Sequence, residues 1–258
     1  MNRKNLMLIS MLITIFISST FAIPGIHEFM GSLSLSNSPG RSSVTKSNAQ
    51  LRGIDVSHHQ GTINWARVSD QNIGFCFIKA TEGRTFVDKK LAQNLAGCKE
   101  NELPRGAYHY YIFGSDPALQ ARNFIARVPR NAVNLPPVID LEYDHRFNHA
   151  LRYSHNKSRF IREVREIERI LRNHYGRAPI FYTNARFYES LIKGHFNNPI
   201  WMCDLKNEEL HYLDSEKWHF WQYSHTARIP GIQMEVDMNL YNGTKADFEN
   251  KMLRANNS

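Results

Sequence analysis

Apolar positions along this chain gather into short runs bounded by glycine, proline or acidic residues, the pattern of brief strands alternating with turns and helices. β-like runs cover Gly53 to Val56, Gly74 to Ala80, Gly106 to Phe113, Pro137 to Glu142, Pro179 to Thr183, Pro199 to Asp204, His219 to Ser224 and Glu235 to Tyr241. Helix-like segments lie between the early runs, over Asp88 to Glu100, Pro117 to Val128 and Ser158 to Tyr175. In the last of these Ile161, Val164, Ile167 and Leu171 recur at helical spacing, and Gly176 supplies a stop. Among the later connections only Arg186 to Ile192 looks helical. Eight runs is the strand count of a closed parallel barrel, and the alternation with helices predicts βα units. The fold class expected is therefore α/β, a TIM-like (β/α)-barrel with reduced outer helices in its C-terminal half.

The two ends do not fit this pattern. Residues 1–22 combine a basic start, a mostly apolar run from Leu6 through Ile17 and a small-residue exit. That is the make-up of a secretory signal peptide, and the run is short for a membrane span. Residues 23–50 are rich in Ser, Asn and Gly and cannot bury enough surface to offset their ordering entropy, so they read as a flexible linker. The expected domain is 51–253, enough for one sizeable core, followed by a short polar tail at 254–258. The formal charge is +8, of which removal of Arg3 and Lys4 takes two. A basic product favours anionic partners without choosing among them. The basic residues scatter, as along the outer face of the 158–175 helix, and do not form the dense run of a nucleic-acid binder. Cys76, Cys98 and Cys203 allow one disulfide and one thiol in an oxidising compartment, with Cys76–Cys98 sterically plausible; equally, all three are candidates for small buried residues.

Candidate chemistry concentrates in Pro136-Pro137-Val138-Ile139-Asp140-Leu141-Glu142-Tyr143. Two carboxylates at i and i+2 on a strand share one face. They are either an acid–base pair or two acids at a strand's wet end, because burying an unpaired ion costs several kcal/mol or forces its pKa upward. Gly53-Ile54-Asp55-Val56 and Glu235-Val236-Asp237-Met238 repeat the acid-bearing pattern. Strand ends of a parallel barrel converge on one mouth, so these acids can line a single cleft.

With those segments in hand, the chain resembles the glycoside hydrolase 25 lysozymes, the Chalaropsis-type N-acetylmuramidases. The resemblance rests on seven ordered pieces: GIDVSHHQGTINW at 53–65, FIKATEG at 77–83, GAYHYY at 106–111, PPVIDLEY at 136–143, FYTN at 181–184, WQYS at 221–224 and VDMNLYNG at 236–243. It implies a flattened barrel and hydrolysis of the β-1,4 bond between N-acetylmuramic acid and N-acetylglucosamine in peptidoglycan. Carried over by position, Glu142 becomes the general acid and Asp140 the stabiliser of the oxocarbenium or oxazolinium species. Asp55 and Asp237 then hold water, sugar or the other acids. Residues i and i+2 lie roughly 6.6 Å apart at Cα, while retaining glycosidases keep their carboxyls about 5–5.5 Å apart and inverting ones roughly 6.5–9.5 Å. This spacing leaves the stereochemistry open, and retention with acetamido participation is what the family implies. Lys79, Tyr108, Tyr110, Tyr182 and Trp201 are candidate sugar contacts, with core packing the competing role for each aromatic residue. The expected partner is the glycan strand of peptidoglycan, met in the periplasm, the cell wall or outside the cell by a monomer. No cofactor, metal, nucleic acid or lasting membrane insertion is called for.

Two departures qualify the transfer. Trp201-Met202-Cys203-Asp204-Leu205 stands where many relatives have Trp-Ile-Ala-x-Tyr, and no wall-binding repeat follows the barrel. Two rivals also stand beside the lysozyme reading. His58, His59 and His109 near strand ends suggest a metal-dependent hydrolase of the same polymer, although motifs such as HExxH are missing. A barrel that kept the fold and only binds is the other, and four convergent carboxylates are more than binding needs.

Overall fold

The computed structural model describes residues 51–143, 148–152, 154–206, 210 and 218–253. The expected signal peptide, linker and tail at 254–258 lie outside the described residues.

The strands are β1 (Arg52–Val56), β2 (Phe75–Glu82), β3 (Phe86–Val87), β4 (Arg105–Tyr110), β5 (Val138–Asp140), β6 (Ile180–Asn184), β7 (Ile200–Cys203), β8 (Phe220–Ala227) and β9 (Val236–Tyr241). All but β3 close into an eight-stranded barrel, β1 pairing with both β2 and β9. Seven of the eight run parallel, but β9 is antiparallel to both β8 and β1, which corrects the all-parallel expectation. A parallel crossover needs a long connection, whereas only eight residues separate Ala227 from Val236, and so short a link favours an antiparallel return. The reversal has a consequence for the site. The cleft end of β9 is its start, so Asp237 enters from the beginning of a strand and not from its end.

Outside the barrel pack α1 (Trp65–Ser69), α2 (Leu91–Glu100), α3 (Pro117–Arg127) and α4 (Lys157–Tyr175). Asp116 caps α3 through Leu119 N at 2.9 Å, with Pro117 at the first helical position, where its missing N–H costs nothing. α4 turns Phe160, Val164, Ile167, Leu171 and Tyr175 inward and ends on Gly176 in the left-handed region. The 186–192 segment is a short turn, α5 (Ala185–Phe187), running into a π-helical turn over Tyr188–Ile192. The C-terminal half is thus poorer in outer helices among the described residues, as expected.

Inside the barrel the lower half is filled by aromatic rings. Phe77 stacks on Trp201 at 4.6 Å, and Phe220 meets Phe75 and Phe77 edge-on at 5.2 Å. Room for these rings comes from Gly53 and Gly106, where a Cβ would sit 2.3 Å from the Phe75 ring and 2.7 Å from the Phe77 ring. α6 (Lys245–Lys251) closes the bottom, adding Phe248 and Met252 to this inner cluster. The segment after β9 therefore supplies a barrel plug. Arg177 holds the plug by donating to the carbonyls of Met252 at 2.7 Å and Lys251 at 2.8 Å. With the floor packed, the opposite end of the barrel is left open to a ligand.

All three cysteines are free thiols. Cys76 and Cys98 are buried and in hydrogen-bond contact between β2 and α2, while Cys203 stands apart at the end of β7. Among the described residues no helix is long and apolar enough to cross a membrane.

Candidate active site

At the open end lies a cleft of about 360 Å³ lined by Asp55, Lys79, Tyr108, Tyr110, Asp140, Glu142, Tyr182 and Trp201, together with Cys203, Leu205, Gln222 and Asp237. All nine residues singled out from the sequence thus meet in one place. β-strand periodicity explains much of this, since alternate side chains of each strand face the interior. Glu142 lies just past the end of β5, where Leu141 N still donates to Tyr182 O at 2.8 Å and keeps the chain extended. Buried Asn148 donates its amide to the carbonyls of Glu142 at 3.0 Å and Tyr111 at 2.9 Å.

Asp55 is the hub of the floor. It accepts from Gln222 Nε2 at 2.9 Å and Asn239 Nδ2 at 2.8 Å. Gln222 in turn accepts from the Tyr182 hydroxyl at 2.8 Å, and Asn239 Oδ1 accepts from Trp201 Nε1 at 2.8 Å. Across the β1–β9 pairing Asp55 stands opposite Asp237, and the two carboxyls share a hydrogen bond. Burial first, then the Asp55 charge, pushes Asp237 up to about 9, so Asp237 carries the proton of the pair. Asp55 is also raised by burial, against the hydrogen bonds it accepts.

The second pair is Asp140 and Glu142. Asp140 is only 7% exposed, and its Oδ1 is buried with no hydrogen-bond partner among the described residues. An ionised carboxylate in that position would cost several kcal/mol, so the site resists charging it. Burial and then Glu142 raise its pKa well above the ordinary range, opposed by Lys79. Both causes favour the neutral form of Asp140.

Lys79 makes an ion pair with Glu82 at 2.9 Å. A bulge between Lys79 and Thr81 makes this possible, because it shifts the register by one residue and turns Glu82 to the interior face. Trp201 is 1% exposed and stacked on Phe77, so it forms the cleft floor and not a free stacking wall. Tyr182 packs edge-on against it at 4.7 Å, and burial raises the hydroxyls of Tyr182 and Tyr108 far above the ordinary tyrosine range. The three histidines of the metal-dependent reading do not converge. His58 Nδ1 lies 2.7 Å from Asp88, His59 is exposed beside it, and His109 is buried on the helix side against Thr81 and Gln120. Burial lowers His109 to about 4, which leaves it neutral. Among the described residues no group of three His, Cys, Asp or Glu side chains could hold a metal ion.

The sequence profile of the Glycosyl hydrolases family 25 matches residues 54–232. The chain belongs to this family. A family 25 glycosyl hydrolase from Bacillus anthracis superposes with a TM-score of 0.73 at 31% identity, covering 83% of this chain and 99% of that one. The bacterial lysozyme from Streptomyces coelicolor gives 0.68 at 30% identity over 78% and 95%. In sequence, the uncharacterized protein YegX of Escherichia coli K12 is 32% identical over 77% of this chain and 72% of its own length. Lysozyme M1 of Streptomyces globisporus is 29% identical over 76% and 69%. As a family 25 member the chain is a glycoside hydrolase with the α/β-barrel fold.

Within that family frame, the residues overlooked in the sequence are Gln222, Asn239, Asn148 and Glu82. Gln222 and Asn239 lay inside the WQYS and VDMNLYNG pieces, and Asn239 is two residues from Asp237, so strand periodicity already placed it on the same face. The departure at Met202-Cys203-Asp204-Leu205 brings a thiol and a leucine to the cleft wall. Burial raises the Cys203 thiol to about 12, and Tyr182 is its hydrogen-bond partner. That makes Cys203 a poor nucleophile.

Proposed function

We propose that this protein is an exported muramidase that hydrolyses the β-1,4 bond between N-acetylmuramic acid and N-acetylglucosamine in peptidoglycan. The observation that carries this reading is the convergence of Asp55, Asp140, Glu142 and Asp237 in one cleft of a closed family 25 barrel. Relatives bearing the names lysozyme and N,O-diacetylmuramidase support it.

The two acid pairs divide the work. Asp140 starts in the neutral form that its burial and the Glu142 charge favour. A substrate acetamide N–H donating to Asp140 favours its ionised form and moves the proton to Glu142. Glu142 then protonates the glycosidic oxygen as the C1–O bond breaks, and the acetamide oxygen closes on C1. Ionised Asp140 balances the positive charge of that oxazolinium species. Water, deprotonated by Glu142, opens it from the opposite face, restoring the proton and giving net retention. Asp237 and Asp55 hold one further shared proton beneath this pair, and the Gln222–Tyr182 link fixes the floor. Lys79 is available to the lactyl carboxylate of the muramic sugar.

Digestion of a peptide-free glycan followed by NMR tests the chemistry. The β-anomer should appear first and mutarotate later. An α-anomer appearing first would refute acetamido participation.

A further inference from the structure

A single exposed phenylalanine is ordinary on a protein surface, but Phe86, 40% exposed, is not placed at random. It pairs across the β2–β3 hairpin with Glu82, so it prolongs the interior face of the barrel past the rim. Lys79, which lines the cleft, holds its ammonium 5.5 Å from the ring of Phe86 and 5.5 Å from that of Tyr110. Tyr110, Lys79 and Phe86 therefore form one continuous wall leading out of the catalytic cleft.

The outer end of that wall is rigid. Asn123 on α3 donates to the backbone carbonyls of Phe86 and Gly83, both at 3.1 Å. The His58 ring lies 6.3 Å from Phe86 and is fixed by buried Asp88, which accepts from both His58 Nδ1 and His58 N. His59 lies against His58 at 4.1 Å and is exposed. Rings anchored through backbone and hydrogen-bond contacts lose little entropy when a ligand lands on them.

We infer that Phe86, with His58 and His59, forms a further sugar subsite that takes an aminosugar ring of the glycan strand beyond the pair flanking the scissile bond. The inference rests on the muramidase reading. A cleft of about 360 Å³ is at the small end of the roughly 300–1,000 Å³ of ligand pockets, so a polymer must continue onto the rim. The apolar C–H face of a β-linked pyranose suits the Phe86 ring, and the histidines offer polar edges to its hydroxyls.

The test compares peptide-free alternating tetrasaccharide and octasaccharide binding by calorimetry in the Glu142→Gln protein, alone and combined with Phe86→Ala, Phe86→Trp or Thr85→Ala. Phe86→Ala should weaken octasaccharide binding about fivefold, the size of one aromatic contact. The tetrasaccharide should lose much less, Phe86→Trp should restore the affinity, and exposed Thr85→Ala should change neither. Equal loss on both lengths, or no loss on either, would overturn the subsite. Absence of cleavage by the unsubstituted protein would refute the muramidase reading alone, because the binding comparison does not depend on turnover.

Discussion

Asp237→Asn separates the electrostatics of the site from its packing. Asp237 is held neutral up to about 9 in the folded protein, against 3.8 for an ordinary aspartate. As pH rises above the ordinary range, the unfolded chain releases this proton while the folded state keeps it. Stability contributed at this position is therefore highest below about pH 4 and falls until the folded group itself ionises. At pH 7 the difference spans about three pH units, or about 4 kcal/mol at about 1.4 kcal/mol per unit. Because Asp55 shares the same proton, roughly half of this, about 2 kcal/mol, is assigned to Asp237. An asparagine amide can still donate to Asp55, so the substitution removes the penalty and keeps the hydrogen bond. The expected result is a melting temperature about 6 °C higher than that of the parent at pH 7 to 8, shrinking towards zero near pH 4, with hydrolysis impaired. Thermal melts of both proteins at unit steps from pH 4 to pH 9 measure it. Parallel curves, or a variant less stable at pH 8, would refute the assignment of the proton to Asp237.

Three further outcomes follow from the packing. Asn239→Leu strips a donor from Asp55 and the acceptor from Trp201 in a fully buried position; urea titration should show a loss of about 3 kcal/mol. Gly53→Ala drives a methyl into the Phe75 ring and should cost about 2–3 kcal/mol on the same assay. Ending the chain at Gly243 removes the plug side chains Phe248 and Met252, and the loss should reach about 4 kcal/mol from their burial alone. A melting point unchanged by that truncation would show that the barrel floor does not need α6.

Much of the fold was legible because alternation and helical spacing are local signals. Each predicted strand found a counterpart, and α4 was readable from its apolar stripe and Gly176. The direction of β9 was not, since a parallel and an antiparallel strand with both faces buried carry the same side-chain pattern. The bulge beside Ala80 also left no local mark, which hid Glu82 and its pairing with Lys79. Asp88, read as the start of a helix, is a buried anchor for His58 because the chain turns before α2 begins at Leu91. The acids of the site were visible as charges in apolar strands. The amides that hold them, Gln222, Asn239 and Asn148, were not, because a neutral polar side chain becomes informative only when its partners are known. Trp201 shows the converse: an aromatic residue at a strand end looked like a sugar platform, and its partner Phe77 makes it the floor.

If the Asp140–Glu142 pair cuts the muramic acid side of the glycan linkage, each cut leaves N-acetylmuramic acid as the new reducing end. Purified peptidoglycan would be digested with the protein and with Glu142→Gln, in the presence and absence of EDTA, then reduced with borohydride and analysed by mass spectrometry. Muramitol-terminated fragments are expected, indifferent to EDTA and reduced by a factor of about 10²–10⁴ in Glu142→Gln. Reduced glucosamine ends, an EDTA-sensitive release of peptide or acetate, or full activity in Glu142→Gln would contradict that cleavage.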